Sequence, residues 1–373
     1  MVQLRRRPKG TTEAVKQIVK KVKEKEPAAE EEKRECAWID PYYLIPTGST
    51  LLNCALSDHY QGGYQIGSVV NTIGDSGTGK TLLALNSLAE MTLFKRFDDY
   101  RFIFDDVEAA LAGNIEFMFG RSVADRIELT NRSSTIQDFY INLLKAIKDG
   151  QPFVYILDSM DALTSKEEQG RATKMVNARK KEEETGEKVK EAGSWKTEKP
   201  KITSEILRVT AREIKDKEAF VNIISQTRDN LGWGFSDKTR SGGKALKFYC
   251  CHEMWVSSTK PLKKLNERIG SNSKIQVSKN KLTFKRRTVE IPIYDNYGID
   301  DIGSCVDYLV AEKIWKKTKQ TIKAVHFNWE GNRDTIIKRI ERGLREQELT
   351  QIVGRTWGNK EDLLKIDRKR RYK

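Results

Sequence analysis

The run Gly74-Asp75-Ser76-Gly77-Thr78-Gly79-Lys80-Thr81 has the form G-x-x-x-x-G-K-T, and its flanks constrain the fold as much as the run itself. The apolar stretch Ser68-Val69-Val70-Asn71-Thr72-Ile73 leads in. Leu82, Leu83, Ala84, Leu85, Leu88, Ala89 and Leu93 follow at helical spacing. Strand, glycine-rich loop and helix in that order make a phosphate-binding loop. The glycines let backbone N–H groups close around phosphate oxygens, and the helix N-terminus adds a favourable dipole. Lys80 is placed to reach the β- and γ-phosphates, and the Thr81 hydroxyl to ligate Mg²⁺. From average residue usage, a chance match in a chain this long has odds of about one in a hundred, and the strand–loop–helix setting lowers them. The expectation is a binder of a nucleoside triphosphate, ATP, with Mg²⁺.

The chain has 373 residues, enough for one large core or two smaller ones. Lys and Arg outnumber Asp and Glu by 68 to 53, a formal charge of +15, which suits a polyanion, nucleic acid first. No run of 18 apolar residues occurs, and the stretch from Met1 to Arg7 lacks the apolar core of a signal peptide. The five cysteines have no C-x-x-C spacing and histidines number three, so inert reduced thiols are expected rather than a zinc site. The expected location is cytoplasmic, with no membrane partner.

Residues 1–37 are charge-rich, with Val15, Ile18, Val19 and Val22 making a narrow apolar stripe at helical spacing. That helical segment needs a surface to pack on and is a candidate oligomerisation arm. Across 38–300 the pattern alternates between strand and helix. Arg101 to Asp106, Phe153 to Asp158 and Ala219 to Gln226 are short apolar runs of the kind found in buried parallel strands. Thr135 to Gly150 is an amphipathic helix with Ile136, Phe139, Tyr140, Leu143, Leu144 and Ile147 on one face. The fold class is therefore α/β, a mostly parallel sheet flanked by helices. Lys166 to Lys201 is almost all charged or small, with Trp195 its one aromatic residue, and reads as a solvated insertion or as a loop that orders on a polyanion. Residues 301–373 read as a small C-terminal domain, with Ile336, Ile337, Ile340 and Leu344 at helical spacing and a basic tail.

Val154-Tyr155-Ile156-Leu157-Asp158 fits the strand that brings an acid beside the phosphate loop, where Asp158 holds Mg²⁺ through water or the Thr81 hydroxyl. Glu108 is the candidate to orient or deprotonate an attacking water. Asp105 and Asp106 compete with it on composition, and all three acids fit helix capping or a solvated loop equally well.

Taken in order, Ile45-Pro46-Thr47-Gly48-Ser49, the phosphate loop, Val107-Glu108-Ala109-Ala110-Leu111 and Leu157-Asp158-Ser159 resemble the core of RecA-type recombinases, phage versions included. Ile223-Ile224-Ser225-Gln226, a loop of mixed residues, and Ser241-Gly242-Gly243-Lys244-Ala245-Leu246-Lys247-Phe248-Tyr249 are similar to that family's γ-phosphate-sensing segment and second DNA-binding loop. Val277-Ser278-Lys279-Asn280-Lys281 resembles its Lys-Asn-Lys, which reaches the ATP of an adjacent subunit. The resemblance spans about residues 38–310. It implies a RecA-like ATPase core and a DNA-dependent, Mg²⁺-dependent ATPase with Lys80, Glu108, Asp158 and Gln226 as catalytic residues. It further implies Lys279 and Lys281 on a neighbour's ATP and a homo-oligomeric helical filament with ATP at the protomer interface. Single- and double-stranded DNA become the partners, and strand exchange the outcome. The loop 227–243 then binds DNA. Leu231, Trp233 and Phe235 wedge or stack on bases, Arg228, Lys238 and Arg240 meet phosphates, and Gly242 and Gly243 close the loop.

Three features depart from the family pattern. Ala112 and Ile115 stand where an acid and an aromatic residue usually hold adenine, the segment matching the first DNA-binding loop is much longer here (164–202), and the chain ends basic rather than acidic. Two further readings stay open at this point: a RecA-fold hexameric DNA motor, and a recombinase-like mediator that loads or caps another filament.

Overall fold

The computed structural model describes residues 39–109, 115–129, 132–185, 198–229, 238–240 and 243–369. The helical stripe expected within residues 1–37, Ala112, Trp195 and the last four residues of the tail lie outside this set. Asp40–Lys373 forms one compact unit.

Fifteen strands are described: β1 (Leu44–Ile45), β2 (Tyr64–Gln65), β3 (Ser68–Gly74), β4 (Arg101–Asp106), β5 (Ile127–Leu129), β6 (Phe153–Asp158), β7 (Phe220–Asp229), β8 (Lys238–Arg240), β9 (His252–Lys264), β10 (Glu267–Asn280), β11 (Thr288–Tyr294), β12 (Gly298–Ile299), β13 (Lys316–Thr318), β14 (Thr321–Ala324) and β15 (Trp329–Gly331). The described helices are α1 (Thr50–Ser57), α2 (Lys80–Met91), α3 (Ile115–Phe119), α4 (Arg121–Ala124), α5 (Ile136–Lys148), α6 (Lys166–Thr185), α7 (Glu198–Asp216), α8 (Gly243–Tyr249), α9 (Asp301–Ala311), α10 (Arg333–Arg342) and α11 (Glu346–Leu363).

One large sheet runs β12-β11-β10-β9-β3-β7-β6-β4-β5, with β8 pairing the end of β7. From β9 to β5 every pairing is parallel, and from β9 to β12 every pairing is antiparallel. The sheet is therefore mixed, a parallel half finished by an antiparallel meander. Its two faces follow the two-residue period of the strands. Val70, Phe102, Phe104, Val154, Ile156 and Ile224 enter one buried cluster. Val69, Ile103, Tyr155, Leu157, Val221 and Ile223 enter the other. With both faces covered, the central strands are mostly apolar, and their buried polar side chains bond one another, Thr72 to Asn222 and Ser225 to Asn71.

Local chemistry sets the helix starts. Thr135 caps α5, accepting from the Asp138 N–H while the Asp138 carboxylate accepts from the Thr135 N–H, a reciprocal capping box. The same device opens α6: the Glu168 N–H donates to Ser165 Oγ at 3.1 Å and the Ser165 N–H to Glu168 Oε2 at 2.9 Å. The first half of the charged insertion is thus a helix, exposed along most of its described length, rather than an irregular loop. Beyond residue 300 the chain builds α9 to α11 and a small sheet, β13-β14-β15. Cys305, Val306, Leu309, Trp315, Ile336 and Val353 belong to the same buried cluster as Leu52, Leu83 and Ile291, so the line drawn at 300 does not divide the core.

Candidate active site

The parallel half ends all its strands at one edge, and the register aligns Gly74 with Gln226 and Asp106 with Asp158. The phosphate loop leaves β3 there. Its glycines are needed for two different reasons. A Cβ on Gly74 would fall 2.3 Å from the Val256 carbonyl oxygen, and Gly79 sits at φ +92° with its missing Cβ pointing 2.8 Å from Ile293 Cδ1. Thr78 Oγ1 donates to the Asp75 carbonyl at 2.9 Å, and Ser273 Oγ donates to the Thr78 carbonyl at 2.9 Å, so the loop is held from inside and from β10. Lys80 heads α2 and its Nζ donates to the Asp75 carbonyl at 2.6 Å.

Asp158 accepts from Thr81 Oγ1 at 2.5 Å. Glu108 Oε1 accepts from Ser159 Oγ at 2.5 Å and from Gln226 Nε2 at 2.8 Å. The Gln226 N–H donates to Asp161 Oδ2 at 2.6 Å, and Thr227 Oγ1 donates to the carboxylate of Asp75. Lys80, Thr81, Glu108, Asp158 and Gln226 all line one cavity of about 540 Å³. The competing acids separate cleanly. Asp105 is fully buried and accepts from the Ser133 N–H at 3.0 Å, Ser133 Oγ at 2.6 Å and Tyr155 OH at 2.6 Å, which makes it a framework residue. Asp106 faces Arg132 at 3.8 Å and does not line the cavity.

Burial pulls the Lys80 ammonium below the usual lysine range, against the opposing pull of Asp158, Glu108, Asp75 and Asp161. Burial pushes the Asp158 carboxyl up, and the Thr81 hydroxyl partly offsets this. Burial is the first cause of both shifts, and a bound triphosphate would give the Lys80 ammonium an anionic partner. A hydroxyl and a carboxylate already in contact suit Mg²⁺, which takes one or two protein ligands and draws the rest from phosphate and water. Bound there, Mg²⁺ would neutralise charge on phosphate oxygens. No cage of three or more His, Cys, Asp or Glu occurs among the described residues, as this mode of binding allows.

The described ends of the segment 227–243 are paired antiparallel. Thr227, Arg228 and Asp229 of β7 pair with Arg240, Thr239 and Lys238 of β8. Gly243 opens α8. Leu231, Trp233, Phe235 and Gly242 lie outside the described residues.

A model of the RecA N-terminal domain matches residues 11–300. The chain belongs to the RecA family. It is 29% identical over 281 residues to Protein RecA of Delftia acidovorans, covering 75% of this chain and 69% of that protein. It is 29% identical over 287 residues to Protein RecA of Roseiflexus sp. (74% and 70%). It is also 31% identical over 274 residues to Protein RecA of Chloroflexus aurantiacus (70% and 68%). Among the described residues, no helix of this RecA-family chain is long and apolar enough to cross a membrane.

Lys279 and Lys281 lie away from this cavity. Lys279 Nζ donates to the carbonyls of Lys247 and, at 2.9 Å, Phe248, and Lys281 Nζ donates to Phe248 O at 2.9 Å and Tyr249 O at 3.5 Å. Both ammonium groups thus cap the C-terminus of α8, where the helix dipole favours them. Ile115, in place of the family's aromatic residue, begins the short helix α3. Sequence reasoning missed Ser159, Arg268, Ser271, Ile293 and Asp295, which also line the cavity. Four of these come from β10, β11 and the residue after β11, about 190 residues or more beyond the phosphate loop, and no local motif marks them.

Proposed function

We propose that this RecA-family protein is a Mg²⁺-dependent, DNA-stimulated ATPase. It assembles as a helical filament on single-stranded DNA, with ATP between protomers, and pairs that strand with homologous duplex. The observation that carries the reading is Gln226. Its side chain bonds Glu108 inside the phosphate cavity, and one residue later the same strand becomes the anchored hairpin 227–243. Nucleotide and DNA then act on two ends of one strand. Lys80 and the loop N–H groups hold the phosphates, Thr81 and Asp158 hold the metal, and Glu108 orients and deprotonates water. Gln226 reports the γ-phosphate. Arg228, Lys238, Arg240 and the aromatic residues between them grip the strand without reading sequence. Lys279 and Lys281, at the far end of the parallel strands, serve a neighbour's ATP.

The test is ATP hydrolysis with and without single-stranded DNA, with negative-stain imaging of the same samples. Strong stimulation and open helical filaments are expected. Equal turnover in both conditions, with rings or monomers, overturns the reading.

A further inference from the structure

The turn after β6, residues 159–165, touches each moving part of the proposed cycle. Ser159 Oγ donates to Glu108 Oε1 at 2.5 Å. The Met160 N–H donates to the Ile224 carbonyl at 2.9 Å, continuing the contact with β7 after the β6–β7 ladder ends at Leu157 and Ile223. Asp161 Oδ2 then accepts the Gln226 N–H at 2.6 Å. Lys199, at the start of α7, reaches back to the same turn, donating to Asp161 O at 3.3 Å and to Leu163 O.

The bond to Gln226 has a clear physical cause. β6 stops at Asp158, so on that side β7 runs out of ladder partners before it reaches Gln226. A backbone N–H without an acceptor is costly, and a carboxylate is the strong acceptor that stands in for the missing strand. Gln226 is thereby fixed at three points, its main chain by the β3 ladder beside Gly74 on one side and by Asp161 on the other, and its side chain by Glu108. A shift of the β7–β8 pair can move Gln226 only by straining its ladder with β3 and breaking the Asp161 bond, or by dragging the turn that bears Ser159 and that Lys199 holds.

We propose that Asp161 is a positioning residue that ties the main chain of Gln226 to the turn bearing Ser159, and so makes hydrolysis responsive to the DNA-binding hairpin. This rests on the recombinase reading for the hairpin's ligand, while the bonds themselves are independent of it. The role belongs to the oxygen that accepts the N–H. Asn keeps such an oxygen, Ala removes it, and Glu displaces it by one methylene.

The experiment measures kcat and KM for ATP with full-length protein and Mg²⁺, with and without an unstructured single-stranded oligonucleotide. It compares wild type, Asp161→Ala, Asp161→Asn and Asp161→Glu. Expected is a fall of about tenfold in the DNA-stimulated-to-basal ratio of kcat for Asp161→Ala, the effect of one charge-assisted hydrogen bond, with KM for ATP within about twofold. Asp161→Glu falls in the same direction, and Asp161→Asn keeps most of the wild-type ratio. Should Asp161→Ala fail to fold by circular dichroism, the contrast between Asp161→Glu and Asp161→Asn decides. A wild-type ratio in every folded variant, or equal loss in Asn and Glu, overturns the positioning role. A wild-type protein that DNA does not stimulate overturns the recombinase reading, and the coupling with it.

Discussion

Replacing Glu108 with Gln separates catalysis from binding more sharply than any other change in this site. Glu108 Oε1 accepts two hydrogen bonds, from Ser159 Oγ and Gln226 Nε2. A Gln side chain of the same length presents a carbonyl oxygen to the same two donors, so the geometry survives and the capacity to take a proton from water is lost. General-base contributions of this kind are worth about 10² to 10⁴ in rate, or roughly 2.7 to 5.4 kcal/mol at about 1.36 kcal/mol per decade. The assay is single-turnover ATP hydrolysis on saturating single-stranded DNA, beside nucleotide affinity from a fluorescent analogue. Glu108→Gln is expected to bind ATP within about threefold of wild type, to turn over at least a hundredfold slower, and to leave filaments that persist. Asp105→Asn is the control. Its three buried donors lose a carboxylate, costing about 1 to 3 kcal/mol of stability while kcat per folded molecule stays close to wild type. A Glu108→Gln enzyme within threefold of the wild-type rate refutes the assignment. If Asp105→Asn abolishes turnover in folded protein, the base has been placed on the wrong acid.

Lys80→Ala is expected to weaken ATP binding more than a hundredfold and to abolish ATP-dependent filaments, read by analogue titration and negative stain, because its ammonium is the buried cation at the loop. Deleting residues 301–373 is expected to give unfolded or aggregated protein by circular dichroism and gel filtration, since Val306, Leu309, Trp315 and Val353 are part of the main core. Glu90 and Asp301 should each withdraw stability from the nucleotide-free protein as pH rises from about 4 to 7. Burial pushes Glu90 up to about 7, with Asp301 adding to it, and pushes Asp301 up to about 6. Folded-state values above the unfolded ones mean that these two groups hold more protons in the native state in that window, so their contribution to the slope of stability with pH is negative. Buried His252, pulled down to about 4, contributes the opposite sign. Urea midpoints of wild type and Glu90→Gln from about pH 4.5 to 7.5 test this: wild type should lose stability relative to Glu90→Gln as pH rises, and parallel curves would refute the role of Glu90.

How much of this was legible in the sequence depended on whether the signal was local. The phosphate loop, the strand ending at Asp158, and the run ending at Gln226 each carry their meaning in a few consecutive residues, and they meet in one cavity. The capping box Ser165 to Glu168 was equally local, yet the density of charge around it obscured a helix start. The choice among Asp105, Asp106 and Glu108 was not local. Ser133 and Tyr155 take Asp105 into the framework from 28 and 50 residues away, and that is what favours Glu108 over it. Arg268, Ser271, Ile293 and Asp295 reach the cavity only because an antiparallel meander returns beside β3, and residue pattern alone does not reveal that adjacency. The C-terminal residues looked separable because their composition changes, whereas packing decides what is a domain.

The two ends of the parallel strands impose a requirement on assembly. The phosphate loop follows Gly74 at one end of β3. Lys281 lies at the other, where its N–H donates to the Cys251 carbonyl and the Cys251 N–H donates to the Val69 carbonyl. Five residues of strand at about 3.3 Å each separate the two ends by roughly 16 Å, more than a lysine side chain spans. Within one chain the pair therefore cannot touch its own phosphates, and it satisfies itself on the C-terminus of α8, the helix that follows the hairpin. If the lysines serve a neighbour's ATP, they must leave those carbonyls, so binding ATP across the interface loosens one end of α8 as it neutralises phosphate charge. Replacing both with Met should leave ATP binding by isolated subunits within about twofold and should remove the cooperative dependence of hydrolysis on protein concentration. Retained cooperativity in the double variant would return both residues to a purely capping role.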